Sequence, residues 1–438
     1  MAPGYLLLGP GSTGDFTNGP PPTGPQQGPL IVDERGELVW FRPLSGTRWA
    51  SNVRVTRWRG EPVLTWWEGD VVTPGFGRGE GVIVDRSYTE IARVRAGNGR
   101  QADLHEFLLT PEGTALLTCF PRSVQMDLSE VGGPRQGTAV ESIIQEVDVR
   151  SGEVLLEWRS LEHISLSESY EPSYAPFANP YDYVHINSID VLPDGHLLVS
   201  ARATWALYKL HRRTGEVIWR LGGKRSDFTM GTGARFAWQH DARHLSTGVI
   251  TVFDDGAGPV HTEPRSRAIV LHVDSTRRTV DLARAYRHPH RLLVGSMGSV
   301  QLLPNGNVLV GWGAQPYASE FAPDGTLVAD AQLPTGLLSY RALRAPWKAT
   351  PGDAPAIAAR RDPITSRRIL YASWNGATDV THWRVHTGST ANGLQPLGIA
   401  RRHGFETAIP VGVADAYAAV TALDASGREL ASSPIVRI

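Results

Sequence analysis

A hairpin unit recurs five times along the chain and restricts it to an architecture built by repetition. Each copy has a strand, a turn of the Pro/Asp/Gly type and an apolar strand, the pattern of a β-hairpin. The copies are NVRVTRWRGEPVLTWWEG from Asn52, HEFLLTPEGTALLTCF from His105, HINSIDVLPDGHLLVSAR from His185, HDARHLSTGVITVFDD from His240 and GSVQLLPNGNVLVGWG from Gly298. We therefore expect an all-β fold without long helices.

A second type of hairpin, with a polar turn inside a β-rich run, lies between these copies. Examples are GVIVDRSYTEIARV, IIQEVDVRSGEVLLEW and SEFAPDGTLVADAQL. An inner hairpin followed by an outer one makes a four-stranded blade. The N-terminal hairpin GPLIVDERGELVWF lacks inner strands, which YLLLG near residue 5 and LSYRAL near residue 338 could supply. Pairing of these two segments closes a ring of about six blades, and closure protects strand edges.

Three of the inner hairpins begin with histidine. His105, His185 and His240 precede the turn glycines Gly113, Gly195 and Gly248 by 8, 10 and 8 residues. Side chains alternate faces along a strand, so even separations place the three imidazoles on equivalent faces of three repeats. In a closed ring they converge on one point.

Composition excludes several classes of function. The net charge is −1 and the pI is about 6.9, so no overall field attracts the chain to nucleic acid or to a membrane. No apolar run reaches the length of a membrane span, and the N-terminus has no basic region before a long apolar stretch. The sequence as written thus predicts a cytoplasmic protein, or a secreted one if a signal was removed. Cys119, the single cysteine, is expected to be a buried hydrophobe.

The domain boundaries follow from losses of periodicity. We predict a propeller over 1–347, with an irregular Gly/Pro-rich segment at 9–29, a linker over 348–365, and a small sandwich over 366–438. The last segment alternates apolar and polar positions as a fibronectin type III-like sandwich does, with Trp374 and Trp383 as core aromatics. The FDDG sequence at 253–256 is interpreted as a tight turn.

The ordered set GPLIVDERGELVWF, DLHEFLLTPEGTALLT, VHINSIDVLPDGHLLVSAR, GEVIWRLGG and WQHDARHL resembles the arylsulfotransferase (ASST) superfamily, over roughly residues 28–335. The resemblance implies a six-bladed β-propeller with an axial site and a PAPS-independent reaction that requires no cofactor. A sulfuryl group would move from a phenolic sulfate ester to a histidine and then to an acceptor phenol. Unlike the better characterised members, the chain is predicted to have a C-terminal sandwich instead of an N-terminal one.

The same motifs also imply roles for individual site residues. The resemblance implies that His240 in WQHDA is the nucleophile, that His105 and His185 are the other axial histidines, and that Arg202 in VSAR holds the sulfate. A loose transition state with negative charge on peripheral oxygens needs mainly positioning and cationic donors, which three imidazoles and a guanidinium provide. Four further residues are predicted to bind the aromatic substrate: Trp67, Tyr183, Asn187 and Trp312.

Alternatives remain open at this level. The histidines could bind a metal, although no carboxylate shares their register, and Arg202 could form a structural ion pair with Asp182, Asp254 or Asp255. The tryptophans and Tyr183 could be packing residues. The same axial histidines could serve a lyase, cyclase or isomerase acting on a natural product, and the propeller could be a non-catalytic binding module. The oligomeric state is not predicted.

Overall fold

The computed structural model describes residues 1–12, 26–73, 75–173, 180–361, 368–412 and 414–438. Strands dominate these residues, and helix is limited to short 3-10 turns at Ser129–Val131, Ser160–Glu162, Leu166–Glu168 and Ala391–Gly393. The all-β prediction is therefore confirmed. In the described ranges, no helix has the length and apolar content needed to cross a membrane.

Most of the strands lie in the first 345 residues. In chain order they are β1 (Tyr5–Ser12), β2 (Leu30–Val32), β3 (Leu38–Phe41), β4 (Arg48–Trp58), β5 (Glu61–Thr73), β6 (Phe76–Val84), β7 (Glu90–Val94), β8 (Ala102–Leu109), β9 (Thr114–Met126), β10 (Gly137–Asp148), β11 (Val154–Arg159), β12 (Ile186–Val191), β13 (Leu197–Ala201), β14 (Ala206–Leu210), β15 (Val217–Gly222), β16 (Thr229–Met230), β17 (His240–Ser246), β18 (Val249–Asp254), β19 (Arg267–Asp274), β20 (Thr279–Tyr286), β21 (Ser299–Leu302), β22 (Val308–Gly311), β23 (Tyr317–Phe321), β24 (Leu327–Gln332) and β25 (Leu337–Ala345).

These strands form antiparallel groups of the predicted kind. The sheet orders are β25-β1-β2-β3, β12-β13-β14-β15 and β21-β22-β23-β24, and β17 to β20 form another group, to which the short β16 adds in parallel. Strands β4 to β11 form one eight-stranded sheet, in which two groups of four are joined by the pair Gly79 and Ala102. The five predicted turn glycines have φ angles between 73° and 90°, which glycine adopts without a steric penalty. They are Gly60, Gly113, Gly195, Gly248 and Gly306.

The two ends of this region meet in one sheet. β1 pairs antiparallel with β25, with Leu7 opposite Leu343 and Tyr5 opposite Ala345. The predicted pairing of residues near 5 and near 338 is thus present. The inner strands β4, β8, β12, β17, β21 and β25 each contact the next, and β25 contacts β4. The inner strands of the six groups therefore follow one another in a closed series of contacts.

The C-terminal strands form two separate sheets. They are β26 (Ala356–Arg361), β27 (Arg368–Ser373), β28 (His382–Gly388), β29 (Gln395–Arg401), β30 (Glu406–Val411), β31 (Tyr417–Leu423), β32 (Glu429–Ser432) and β33 (Val436–Arg437). One sheet is β26-β27-β30 and the other is β29-β28-β31-β32, with β33 beside β31. Both contribute to one apolar core that contains Trp374 and Trp383, as the sequence predicts.

Two sequence boundaries need correction. The predicted linker over 348–365 contains β26, whose Ile357 and Ala359 pack against the C-terminal core, while its arginines obscure the alternation. The predicted irregular segment at 9–29 begins later, because residues 9–12 belong to β1. A Cβ atom on Gly11 would lie 2.2 Å from Trp49 Nε1, so the glycine permits this close approach. The rest of that prediction, residues 13–25, lies outside the described residues.

Candidate active site

The three predicted histidines lie at neighbouring inner strands. His105 is within β8, His185 directly precedes β12, and His240 is the first residue of β17. The Nε2 atoms of His105 and His185 are 3.1 Å apart, at hydrogen-bond distance. The ring of Tyr340 joins the group, since its centre is 5.7 Å from that of His105 and 6.4 Å from that of His240. The convergence predicted from the spacing is therefore present.

Each imidazole is oriented by a carboxylate on its Nδ1 atom. His105 bonds to Asp103, and His185 bonds to Asp182. His240 Nδ1 lies 2.8 Å from Asp255 Oδ2. A carboxylate at this position fixes the ring orientation and the tautomer of a histidine. All three Nε2 atoms are thus turned away from their carboxylates.

Local irregularities in the backbone present these rings. The register of pairing shifts between His240 and Arg243 in β17, and between Ile186 and Ser188 in β12. His185 and Asp241 have φ angles of 53° and 52°, values that are uncommon for residues with a side chain. β-Bulges of this kind redirect side chains and are frequent next to active sites.

His240 is neutral and has one tautomer in this arrangement. Its Nε2 accepts a hydrogen bond from Met297 N–H at 3.2 Å, so the ring proton lies on Nδ1, facing Asp255. Burial lowers the pKa of His240 well below its ordinary value, and the positive charges of Arg202 and His185 act in the same direction. Burial raises the pKa of Asp255, against the opposing effect of Arg202. The Nε2 lone pair is available once the Met297 contact is exchanged.

Arg202 has no carboxylate partner within 4.0 Å in the part of the chain that is described. The alternative of an ion pair with Asp182, Asp254 or Asp255 therefore does not apply there. Its guanidinium lies over the ring of Trp238, 4.8 Å from the ring centre, and Nη2 donates to Gly295 O at 3.1 Å. The positive charge of Arg202 lowers the pKa of His240, so this guanidinium acts electrostatically on the histidine site.

A buried ionic network supports the site. Glu106 accepts hydrogen bonds from Arg243 at 2.5 Å and from Arg341 at 3.1 and 3.2 Å. Burial alone would raise the pKa of Glu106, but the neighbouring guanidinium groups outweigh it and lower that pKa. Asp241 lies 2.8 Å from Arg243 Nε and 2.9 Å from Arg341 Nε. These residues join β8, β17 and β25, and they fix the strands that carry His105 and His240.

The four predicted substrate-binding residues are buried within the protein. Trp67 donates to Ala102 O at 3.1 Å, Trp312 donates to Ser319 Oγ at 2.8 Å, and Tyr183 donates to Ser160 Oγ at 3.0 Å. Asn187 donates to Gln239 O at 2.7 Å, and its own carbonyl accepts from Arg341. None of these four side chains is more than 1% exposed. Their contacts support the packing alternative.

Several site residues were not singled out from the sequence. They are Phe76, Asp103, Glu171, Trp238 and Tyr340. Phe76 contacts the rings of both His105 and His185, at 5.6 and 4.9 Å between centres. Asp255 was interpreted as part of a turn, but it is fully buried and binds His240. Asp103 and Asp182 lie two and three residues before their histidines, and that proximity was the available clue.

Metal ligation was the main alternative use of the histidines. The described ranges contain no group of three or more His, Cys, Asp or Glu side chains arranged to hold a metal ion. Direct metal analysis of the purified protein is the measurement that addresses this alternative.

The solved structures that the chain resembles include three distant ones. A Bacteroides caccae protein of unknown function has 15% identity and a TM-score of 0.47, covering 78% of this chain and 98% of that one. The periplasmic gluconolactonase of Pseudomonas aeruginosa has 13% identity and a TM-score of 0.38, covering 99% and 96%. A catalytically inactive virginiamycin B lyase of Staphylococcus aureus with quinupristin has 8% identity and a TM-score of 0.35, covering 67% and 73%.

The sequence comparisons are more decisive. No curated protein matches the chain significantly. The family described as Arylsulfotransferase (ASST) matches residues 54–333, which is more than half of the chain and includes the three histidines and Arg202. Of the supporting ionic network, Glu106, Asp241 and Arg243 lie within this range. The chain therefore belongs to the arylsulfotransferase (ASST) family.

Proposed function

We propose that the protein transfers a sulfuryl group from a phenolic sulfate ester to an acceptor phenol through a sulfohistidine at His240, without PAPS or another cofactor. One observation carries the proposal: three carboxylate-bound imidazoles converge beside an arginine that has no carboxylate partner among the described residues. Such a group offers a nucleophile, a proton carrier and an anion binder, which are the three functions that the reaction needs. Its substrates are small aromatic molecules.

The proposed fold is a six-bladed β-propeller over 1–347, followed by a fibronectin III-like sandwich over 366–438. The closed series of contacts among the six inner strands supports the blade number. The shared core of the two C-terminal sheets supports the sandwich.

The histidine pair is proposed to carry the proton of the reaction. Three contacts link Asp103, His105, His185 and Asp182 in series. The two imidazoles can pass a proton across the contact between their Nε2 atoms. Burial lowers the pKa of His185 although Asp182 opposes this, which favours release of that proton. The His185 side chain is 12% exposed and that of His105 only 3%, so His185 is the member that substrate reaches.

The two half-reactions balance with these groups. His240 Nε2 attacks sulfur, the bond between sulfur and the phenolic oxygen breaks, and the leaving oxygen takes the proton from His185. The acceptor phenol then returns a proton to His185, its oxygen attacks sulfur, and the N–S bond breaks to restore neutral His240. Arg202 binds the sulfate oxygens in both steps, since its charge is permanent and its donors are planar.

Incubation with p-nitrophenyl sulfate and phenol tests the proposal. We expect release of nitrophenolate and formation of phenyl sulfate in equal amounts. With donor alone, the protein should gain about 80 Da, the mass of one SO₃ group trapped as a covalent intermediate. Turnover of an aromatic substrate in the absence of any sulfate donor would instead support a lyase, cyclase or isomerase.

Asp255→Asn is expected to slow both half-reactions by about 10² to 10⁴-fold, because loss of the carboxylate allows the wrong tautomer of the nucleophilic ring. The measurements are steady-state kcat and the rate of adduct formation. Asp274→Asn is the matched control, since Asp274 ends a neighbouring strand, accepts hydrogen bonds from turn backbone and otherwise pairs with the exposed Arg277 at 3.8 Å. Equal losses in both variants would contradict a positioning role for Asp255.

Glu171 should give the donor KM a pH dependence. Burial raises the pKa of its carboxyl to about 7, against the opposing charge of Arg202. Below this pH Glu171 is neutral, and above it a carboxylate forms close to the arginine that binds the anionic donor. We expect KM for p-nitrophenyl sulfate to rise several-fold between about pH 6 and 9 in the native protein and to stay flat in Glu171→Gln. The exposed Glu153→Gln is the control. An unchanged rise in Glu171→Gln would contradict this role.

A further inference from the structure

A cavity of about 650 Å³, distinct from the histidine site, lies beside the loop that leads into His240. The loop runs from the end of β15 to the start of β17, and it therefore lies at the end of the sheets where His185 and His240 begin their strands. Within the described residues, the cavity lining includes neither Arg202 nor any of the three histidines. Its side walls come from Tyr170, Trp205, Lys224, Phe228, Arg235 and Phe236. It is thus a neighbour of the histidine site on the same face.

Aromatic rings form one wall of this cavity. Tyr170 stacks on Trp205 with 3.6 Å between ring centres and an angle of 3° between the planes. The ring centre of Trp205 is also 5.3 Å from that of Trp238, with 73° between the planes, and the guanidinium of Arg202 lies over the Trp238 ring. The indole N–H of Trp205 is buried and has no hydrogen-bond partner in the described structure. The two tryptophans separate the cavity from the histidine site.

The charges of the lining are predominantly positive. Lys224 Nζ is 4.8 Å from the ring centre of Tyr170 and donates to Ser167 O at 3.2 Å. Arg235 is exposed. Across the described ranges, neither cation has a carboxylate within 4.0 Å. The one acidic residue of the lining, Glu263, faces Arg267 at 3.7 Å. An anion in the cavity would meet two cations that no side chain neutralises.

We propose that this cavity is a second binding site, which takes a planar aromatic molecule that carries one anionic group, such as an aryl sulfate or sulfonate. The edges of the stacked Tyr170 and Trp205 rings and the neighbouring Phe236 contact the bound ring, and Arg235 binds the anionic oxygens. Aromatic side chains and a nearby guanidinium together recognise this class of ligand better than either does alone. The proposal does not depend on the reaction at His240, because it follows from the lining of a separate cavity.

Equilibrium dialysis with benzenesulfonate tests the site. Its C–S bond resists transfer, so binding is measured without turnover. Arg202→Met removes the arginine of the histidine site and isolates the cavity. We expect this variant to retain one equivalent of benzenesulfonate, and the added change Arg235→Met to weaken that binding about tenfold, the loss typical of one charge-assisted hydrogen bond. Neutral benzenesulfonamide should bind more weakly than benzenesulfonate and be insensitive to Arg235→Met.

Arg225→Met in the same background is the matched control. Arg225 lies on the same loop, its side chain is 61% exposed, and it faces Glu168 outside the cavity lining. Thermal unfolding verifies that each variant is folded. Absence of binding in Arg202→Met, or equal weakening by Arg225→Met and Arg235→Met, would overturn the proposal. A failure of sulfuryl transfer would appear separately, as a lack of nitrophenolate release.

Discussion

His240→Ala is expected to reduce kcat for transfer from p-nitrophenyl sulfate to phenol by about 10⁴-fold or more, the scale of losses on removing a catalytic nucleophile. The ring is the one imidazole of the three whose Nε2 faces a backbone donor instead of another histidine. Its lone pair is therefore free of a second imidazole and can form the N–S bond. The same variant should show no increase of about 80 Da with donor alone. Steady-state kinetics and intact-protein mass spectrometry measure the two effects.

His261→Ala controls for the loss of any histidine. His261 is exposed and lies only six residues beyond Asp255, so its removal should leave kcat and the adduct unchanged. A thermal unfolding curve for His240→Ala separates loss of chemistry from loss of structure. If a folded His240→Ala protein keeps full turnover, His240 is not the nucleophile.

Glu106→Gln is expected to destabilise the folded protein by about 3–5 kcal/mol, because it leaves buried charges without their partner. Glu106 is fully buried, and three guanidinium groups face it, at 2.5 Å for Arg243, 3.1 Å for Arg341 and 3.9 Å for Arg54. The amide keeps the shape of the side chain but removes its charge, and the cations then depend on Asp241 and Asp190. Burial, and after it the charge of Arg243, already lower the pKa of Arg54 to about 10 although Glu106 opposes this change.

A double-mutant cycle isolates this charge effect. Arg341→Met in the Glu106→Gln protein removes one of the unpaired cations, and it should recover part of the lost free energy of unfolding. Glu429→Gln is the exposed counterpart, since Glu429 pairs with Arg384 on the surface and its loss should cost less than about 1 kcal/mol. Chemical denaturation of the native protein, the two single variants Glu106→Gln and Arg341→Met, the double variant and Glu429→Gln provides the measurement. Equal effects of Glu106→Gln and Glu429→Gln would contradict a structural role for the buried network.

The strand pattern and the convergence of the histidines could both be predicted from the sequence, but for different reasons. Turn glycines and period-two alternation are local signals, so hairpins such as β8-β9 and β12-β13 could be identified directly. Strict alternation from the turns is interrupted by register shifts in β8, β12 and β17. The histidines still converge because a register shift occurs in each of these three equivalent strands. The histidine positions therefore remain equivalent from one repeat to the next.

The partners of the histidines could not be predicted in the same way. Asp255 follows β18, and only the pairing of that strand with β17 brings it beside His240. Trp67, Tyr183 and Trp312 were predicted to bind the aromatic substrate, whereas all three rings are buried in apolar clusters. Phe76 and Trp238, which contact His185 and Arg202, lie in stretches that carry no repeat signal.

The pairing of β1 with β25 has a consequence for biosynthesis. Leu7 needs Leu343 as its neighbour, and β1 leaves the ribosome before β25, so β1 must wait until β25 has been made. During that interval the apolar faces of β1 and β2 have no permanent cover, and the nascent chain depends on chaperones or transient contacts. Once β1 and β25 have paired, each strand holds the other in place. Neither can then unpair without opening the sheet that contains both.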